Sequence, residues 1–271
     1  MDLGTGKDLN DYLVEGVAVP RHLIDIVAPD DEFSVFEYQR RFFQCFSEIT
    51  AREVLPVMVG GTGLYIDAVL KGYRMPPVPE SHELRAELEA AEPDTLIRRL
   101  MELNPALHNT TDLLDRRRLI RAIEISEHSL RSGEGKEMAF PSLNPLVIGL
   151  RWERSLLRRR VTERLQERLA AGMIGEVKNL HDHGISWEKL NYFGLEYRYI
   201  GLYLEGKLGY DDMFRQLNIK IHQFAKRQKT WFRRMERQGT AIHWLESPDY
   251  EKLKKFVDGY FSENSAAYPG I

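Results

Sequence analysis

The sequence predicts an α/β fold, with a parallel sheet core that is interrupted by a helical insertion and followed by further helices. Strand-like and helix-like segments alternate in the first part of the chain, an order typical of parallel sheets. A proline cluster at 76–79 ends that alternation because proline fixes φ and removes a backbone donor. The apolar run 146–150 then returns to the sheet. We therefore expect an α/β core formed by residues 1–73 and 144–271, with residues 74–143 inserted as a helical lobe.

The first strands and helices follow from short apolar runs and their boundaries. The segment before Pro20 has the pattern of a loop or a weak helix, and residues 21–27 that of a short strand. Ser34 is placed to cap an amphipathic helix over 35–52. A buried strand is expected at 55–59, followed by a helix that begins in a glycine-rich turn.

The rest of the chain is predicted mainly from helical periodicity. Residues 82–129 repeat their apolar positions with a helical period, and residues 131–145 have the composition of a loop. The leucines and isoleucine that mark the expected core of the lobe are Leu84, Leu88, Leu96, Leu100, Leu119 and Ile123. Further helices are expected at 154–171, 173–182, 193–205, 210–237 and 250–262.

Composition and charge limit the classes of protein that fit. The chain has 271 residues, 43% of them hydrophobic and 29% charged, which is typical of a globular protein. Its single cysteine excludes an internal disulfide, and no run of apolar residues is long enough to span a membrane. Residues 1–50 carry ten acidic and four basic side chains, whereas residues 151–237 carry eleven acidic and nineteen basic ones. We expect a soluble cytoplasmic protein with a polyanionic partner, although many basic helices are merely solvated.

The glycine-rich turn Gly60-Gly61-Thr62-Gly63 is the first candidate site. A strand that enters such a turn at a helix N-terminus lets backbone N–H groups and a hydroxyl approach a ligand closely. The alternative is an ordinary turn in which glycine only supplies positive φ.

Three basic segments are candidates for phosphate binding. Arg160, Arg164 and Arg168 repeat every four residues and so share one helix face, where they meet either a phosphate or the neighbouring glutamates. Arg117, Arg118 and Arg121 form a second group, for which a solvated helix face is the alternative. The third segment, 220–237, has seven Lys or Arg against one Glu and is interleaved with aromatic residues, a pattern suited to RNA. Its alternative is a basic surface helix in which Gln228 is satisfied by a core partner.

Several motifs in this order carry a resemblance over nearly the whole chain. They are Met1-Asp2-Leu3-Gly4-Thr5-Gly6-Lys7, Pro20-Arg21-His22-Leu23-Ile24-Asp25, Val59-Gly60-Gly61-Thr62-Gly63-Leu64-Tyr65, the set Asp115, Arg118, Leu119, Arg121, Ala122, Ile123 and Glu124, the pair Arg160 and Arg164, Ala171-Gly172-Met173-Ile174-Gly175-Glu176-Val177, Tyr203-Leu204-Glu205-Gly206, and 225–233. Together they resemble the tRNA dimethylallyltransferase family, whose members transfer an isopentenyl group to N6 of adenosine 37 in certain tRNAs.

The resemblance implies a fold, an activity and a set of site residues. It implies a P-loop NTPase-like parallel sheet core, an inserted tRNA-binding lobe, and a monomer that uses dimethylallyl diphosphate with Mg²⁺. Thr62 and Arg164 would be catalytic, and the diphosphate would be bound by Gly60, Gly61, Arg160 and Arg164, with no protein ligand assigned to the metal. The anticodon stem-loop would be bound by Thr62, Arg85, Arg117, Arg118, Arg121, Phe193, Gly194, Tyr197, Arg198, Lys226, Arg227, Gln228, Trp231 and Arg233.

The sequence also departs from the pattern of the family. Family members begin with a strand, a phosphate-binding loop and an Asp-Ser motif, all of which would precede Met1. The alternative is therefore a truncated, non-catalytic tRNA-binding paralogue, and we expect residues 1–271 alone to bind RNA but to transfer little prenyl group. Family members also have Thr-Arg at the place of Ile221-His222 and Ile-Gly-Tyr in the segment 194–197, so RNA preference is expected to differ.

Overall fold

The computed structural model describes residues 1–75, 78–105, 115–132, 140–247 and 249–263. The chain divides into two units, one formed by Met1–Lys71 with Leu143–Ile271 and the other by Gly72–Ser142. No helix in the described ranges is long and apolar enough to cross a membrane.

The first unit combines a two-stranded parallel sheet with eight α-helices among its described residues. Strand β3, Ile148–Arg151, pairs in parallel with β4, His243–Glu246, in a register that places Ile148 opposite His243. An antiparallel hairpin, β1 (Leu13–Val14) and β2 (Val17–Ala18), follows a short 3-10 helix, Leu9–Tyr12. The helices are α1 (Val35–Thr50), α2 (Gly63–Leu70), α6 (Arg154–Ala170), α7 (Met173–Asp182), α8 (Trp187–Phe193), α9 (Leu195–Leu204), α10 (Tyr210–Arg237) and α11 (Tyr250–Glu263). The α/β fold class is therefore confirmed.

Two predicted strands of this unit are wrong. Residues 21–27 bend and do not form a strand, because Leu23 and Asp25 have φ of 61° and 55°, in the left-handed region that interrupts an extended chain. Residues 55–59 are not paired in a sheet within the described parts of the chain. Val57 and Val59 are 76% and 83% exposed, so the apolar run that suggested a buried strand is on the surface.

The hairpin and strand β4 were not predicted from the sequence. Glu15 and Gly16 both have positive φ, as a two-residue hairpin turn requires, but the usual signal for such a turn is Asn-Gly or Asp-Gly. Strand β4 has only four residues, and a run this short carries little periodicity.

Most helices were predicted close to their observed bounds. Ser34 caps α1 as expected, since its hydroxyl accepts a hydrogen bond from the Glu37 N–H at 3.2 Å. The expected helix 193–205 is α9, Leu195–Leu204, whereas α8, Trp187–Phe193, was not predicted; Gly194, with φ of 149°, separates the two helices. Buried apolar residues of five helices, α6 to α10, form one core, which consists of Leu165, Leu169, Met173, Val177, Leu190, Tyr197, Tyr199, Ile200, Met213 and Leu217.

The second unit is helical in its described residues. It contains α3 (His82–Ala90), α4 (Pro93–Leu103) and α5 (Arg116–Ser132). Their inward faces share a core of Leu88, Leu96, Leu100, Leu119, Ile120 and Ile123, with Leu84 packed against it. Part of the loop expected at 131–145 lies outside the described residues.

Candidate functional site

The glycine-rich turn is held against helix α10 by two contacts. Gln228 Nε2 donates a hydrogen bond to the Gly61 carbonyl at 3.0 Å. Trp231 packs on Gly63 so closely that a Cβ atom there would lie 2.1 Å from Trp231 Cδ1. Glycine is therefore required at position 63 by packing, and the turn has a fixed position on α10. The polar Gln228 finds its partner in the turn, as the cost of burying an amide demands.

Thr62 is exposed at the start of α2, next to an unsatisfied buried donor. Its hydroxyl makes no capping hydrogen bond, although the residue is in the N-cap position of the helix. The indole N–H of Trp231 is buried and has no hydrogen-bond partner among the described residues. A buried donor without a partner is uncommon and needs an explanation. The turn and the facing side of α10 therefore offer one polar group each, the Thr62 hydroxyl without a capping bond and the Trp231 N–H without a partner among the described residues.

The arginines of α6 separate into two environments. Arg164 and Arg168 both contact Asp8: the ion pair of Arg164 is through Nη2 and Oδ2, and Arg168 Nη2 lies 3.3 Å from Asp8 Oδ1. Arg164 Nη2 also donates to the Gly6 carbonyl at 3.2 Å. The Arg160 guanidinium lies over the Trp152 ring, 4.5 Å from its centroid. Arg164 thus has a carboxylate as its present partner, and Arg160 stacks on an aromatic ring.

Residues 2–4 are bound by the carboxylate of Glu176. Its Oε2 accepts from the N–H groups of Asp2 and Leu3, both at 2.8 Å, and its Oε1 accepts from the Gly4 N–H at 3.1 Å and the Tyr197 hydroxyl at 2.8 Å. Burial raises the pKa of Glu176, but these hydrogen bonds lower it more, so the pKa is below its ordinary value. A Cβ at position 4 would lie 2.4 Å from Tyr197 Cζ. The segment is therefore fitted to α7 and α9.

The exposed face of α10 carries the basic side chains. Lys226, Arg227 and Arg233 are exposed, and the Arg227 guanidinium lies 5.6 Å from the centroid of the Phe224 ring. Cations beside an exposed aromatic ring can contact both phosphates and bases.

The segment at the start of α9 combines one exposed cation with buried aromatic packing. Arg198 is exposed and donates to the Asn191 carbonyl at 3.2 Å. Phe193 meets the Tyr197 ring edge to face, and Tyr197 is only 1% exposed, with a pKa that burial and the hydrogen bond to Glu176 raise. Tyr197 therefore supports the fold, and we leave it out of the proposed RNA contacts.

In the second unit, two of the arginines predicted to bind RNA bind a carboxylate of the unit itself. Arg85 binds the buried Glu124 with two hydrogen bonds, of 2.9 and 3.0 Å, and Arg121 donates to the same carboxylate at 3.1 Å and to the Val78 carbonyl at 2.7 Å. Burial raises the pKa of Glu124, but the two arginines lower it more, to below its ordinary value. Arg117 and Arg118 are exposed. These two, rather than Arg85 and Arg121, have guanidiniums available for a ligand.

Asp8 and Glu176 were not predicted from the sequence as partners of the candidate site. Asp8 contacts Arg164 across 156 positions, and Glu176 contacts Gly4 across 172. Glu176 stands within one of the motifs that carry the resemblance, but no local spacing connects it with Gly4, or Asp8 with Arg164. Only the folded chain brings these groups together.

No group of three His, Cys, Asp or Glu side chains in the described ranges is placed to hold a metal ion. The carboxylate next to Arg164 is occupied by two guanidiniums.

Comparison with known proteins identifies the family. The family model described as IPP transferase matches residues 1–235. A "tRNA dimethylallyltransferase 1" of Syntrophus aciditrophicus is 56% identical over 259 residues, which cover 96% of this chain and 85% of that protein. A "tRNA dimethylallyltransferase 2" of Phocaeicola vulgatus is 49% identical over 267 residues, 97% of this chain and 86% of that protein.

Solved structures agree with this match. The tRNA isopentenylpyrophosphate transferase of Bacillus halodurans is 31% identical, with a TM-score of 0.67 over 98% of this chain and 86% of that one. A eukaryotic dimethylallyltransferase acting on tRNA has a TM-score of 0.70 at 18% identity over 88% of this chain and 64% of that one, a likeness of fold alone. The family match and the relatives together show that this chain belongs to the IPP transferase family.

Proposed function

We propose that the protein transfers a dimethylallyl group from dimethylallyl diphosphate to N6 of adenosine 37 in tRNA. The observation that carries the proposal is the attachment of the basic, aromatic helix α10 to the glycine-rich turn through Gln228 and Trp231. This attachment puts RNA-binding chemistry beside the Thr62 hydroxyl of the turn, which makes no capping hydrogen bond, and beside the Trp231 indole N–H of α10, which has no partner among the described residues. The names of the relatives support the same reaction.

In this reaction the bond between C1 of the dimethylallyl group and the diphosphate oxygen breaks, and a bond from N6 to C1 forms. N6 loses a proton, and the diphosphate leaves with the electron pair of the broken bond. Negative charge therefore grows on the leaving oxygen in the transition state, where a placed guanidinium stabilises it. We assign this role to Arg164, and we assign Gly60 and Gly61, with Arg160, to the remaining contacts with the diphosphate.

Thr62 is proposed to contact the target adenine. Its hydroxyl is exposed and makes no capping hydrogen bond in α2. An adenine has to leave its stack to reach such a turn, which favours a nucleotide in a loop.

The RNA contacts are proposed for exposed cations and their neighbours. Phosphate contacts provide most of the affinity of such surfaces and make it sensitive to salt. The residues assigned to them are Arg117, Arg118, Phe193, Gly194, Arg198, Lys226, Arg227 and Arg233. We also propose that the protein works as a monomer in the cytoplasm, in line with its single cysteine.

Mg²⁺ is proposed to accompany the diphosphate, since this ion is commonly held by substrate phosphates, water and one or two carboxylates. When bound, it would neutralise part of the charge of the diphosphate. The described residues include no cluster of three metal-ligating side chains, and no step of the reaction is assigned to protein-bound metal.

A non-catalytic tRNA-binding protein is the second candidate, because the basic face of α10 is open while Arg164 is paired with Asp8. The two candidates are separated by transfer of labelled dimethylallyl group to an anticodon stem-loop, using protein expressed from its own gene, with Arg159→Ala as a matched control on α6. Transfer that is lost in Arg164→Ala and kept in Arg159→Ala supports the enzyme. Salt-sensitive binding without transfer supports the second candidate.

A further inference from the structure

The carboxylate of Asp8 lies between two arginines of helix α6. Arg164 Nη2 donates to Asp8 Oδ2, and Arg168 Nη2 lies 3.3 Å from both oxygens of the carboxylate. The Asp8 side chain is 48% exposed and the Arg164 side chain 54% exposed, whereas Arg168 is only 14% exposed. Two guanidiniums thus converge on one oxyanion at the surface of the protein.

Asp8 accepts a hydrogen bond from Nη2 of Arg164, the same nitrogen that an incoming phosphate needs as a donor. A guanidinium binds an oxyanion with two parallel N–H bonds through either of two edges, Nε with Nη2 or Nη1 with Nη2. Both edges include Nη2. In Arg164, Nη2 already donates to Asp8 and to the Gly6 carbonyl. A diphosphate can therefore be bound by two bonds from Arg164 only after Nη2 gives up one of these two partners, and the Asp8 carboxylate is the anionic one that a second anion replaces.

Asp8 is brought to this place by a segment that is itself fixed. Glu176 binds the backbone of residues 2–4. Gly6 has φ of +73°, and a Cβ there would lie 2.5 Å from Arg168 Nη2. The Lys7 side chain, 14% exposed, binds Asp2 at 2.6 Å and also binds Asp25. The contact of Asp8 with the arginines therefore follows from the fold of the segment and is not a chance meeting of two long side chains.

We propose that Asp8 is an internal occupant of an oxyanion site formed by Arg164 and Arg168, and that a diphosphate binds there by displacing the Asp8 carboxylate. The choice of a diphosphate as the ligand rests on the proposed function; the exchange itself follows from the geometry of the two arginines. Burial raises the pKa of Asp8, but the hydrogen bond from Arg164 and the charges of both arginines lower it more. Asp8 is thus an anion at neutral pH and competes with another anion.

The test is calorimetric titration of the purified protein with inorganic pyrophosphate at constant ionic strength, without tRNA. Asp8→Ala should bind pyrophosphate about 3- to 10-fold more tightly than the parent, as removal of a partly exposed ion-pair competitor predicts. Asp11→Ala is the matched control. Asp11 is an exposed aspartate three positions after Asp8, so the variant removes the same charge, and it should change the affinity for pyrophosphate by less than about 2-fold. Asp8 makes no capping hydrogen bond, so its replacement leaves the adjacent 3-10 helix intact.

The double variant Asp8→Ala with Arg164→Ala should lose the gain in affinity. Unchanged, weaker or undetectable pyrophosphate binding by Asp8→Ala overturns the proposal, and so does a gain that survives in the double variant or appears equally in Asp11→Ala. The proposed function is tested separately by prenyl transfer to tRNA. If Asp8→Ala gains affinity for pyrophosphate but the parent protein transfers no prenyl group, the proposed function is refuted and the displacement of Asp8 is supported. If the parent transfers the prenyl group but Asp8→Ala gains no affinity, the function is supported and the displacement is refuted.

Discussion

Replacing Glu176 with glutamine tests how residues 2–8 are attached to helices α7 and α9. The carboxylate accepts four hydrogen bonds, three from backbone N–H groups and one from the Tyr197 hydroxyl. A glutamine has one oxygen in place of two. Whichever way its amide turns, its NH₂ group faces at least one backbone N–H that loses its acceptor.

The expected loss follows from counting these bonds. Turning the amide oxygen toward Asp2 and Leu3 keeps two bonds, and the Tyr197 hydroxyl can rotate to accept from the NH₂ group. The Gly4 N–H is then left without an acceptor, and the remaining hydrogen bonds are to a neutral oxygen and no longer to a charged one. Together these changes reduce the free energy that holds the segment by about 2–4 kcal/mol. For local opening of the segment, in which the rest of the unit stays folded, this loss corresponds to roughly 30- to 1,000-fold faster amide exchange in residues 2–8.

Hydrogen exchange of the peptide that contains residues 2–8 is the assay. Glu163→Gln is the control, since that carboxylate is exposed and meets Arg159 only at 3.6 Å, so exchange in the segment should be unchanged. The pKa of Glu176 is lowered in the fold, so its stabilisation is complete above the ordinary carboxyl pKa and is lost as pH falls through the lowered native value. The parent and Glu176→Gln should therefore converge in acid. Equal protection of the two proteins at pH 7 would refute the reasoning.

The remaining predictions concern the candidate site and its packing. Arg164→Ala should lower kcat/KM for dimethylallyl diphosphate by ~100-fold or more, as the loss of a partner for transition-state charge requires, and an unchanged value would leave this arginine as a surface ion-pair residue. Thr62→Ala should lower turnover with little change in the Kd for tRNA, because one hydroxyl contact contributes ~0.5–1.5 kcal/mol beside many phosphate contacts, and normal turnover with weak tRNA binding would contradict the role of Thr62. Gly63→Ala should cost ~1–3 kcal/mol in urea unfolding because its Cβ meets Trp231, and an unchanged midpoint would show that the ring can move aside.

Sequence periodicity was sufficient for the helices because each carries its own signal over many residues. Helix α10 has an amphipathic pattern over 28 residues, and its predicted bounds agree with the structure. Helix α7 likewise begins after Gly172, which has positive φ, and ends where expected. Local patterns of this kind do not depend on what the rest of the chain does.

Strand prediction failed because pairing with another strand decides whether an apolar run becomes a strand. The apolar runs 21–27 and 55–59 have the composition of strands, but the first turns at Leu23 and Asp25 and the second has no sheet partner within the described ranges. Strand β4 is short, and its extended conformation is stabilised by its pairing with β3. β-propensity depends on such neighbours more than helix propensity does.

The sequence predicted which residue types form the candidate site, but it did not predict which side chains contact one another. Spacing on α6 placed Arg164 and Arg168 on one face, and the polar Gln228 in an apolar stripe called for a partner, which is the Gly61 carbonyl. The binding of Arg164 by Asp8 could not be predicted from the sequence, because it joins residues far apart in the chain. Burial of Tyr197 likewise depends on the packing of α7 against α9.

The central claim is tested most directly by tandem mass spectrometry of tRNA incubated with dimethylallyl diphosphate, Mg²⁺ and protein expressed from its own gene. The account predicts a dimethylallyl group on N6 of adenosine 37, and none in a tRNA that has guanosine at that position. Bound but unmodified tRNA, or a prenyl group at any other position, would contradict it.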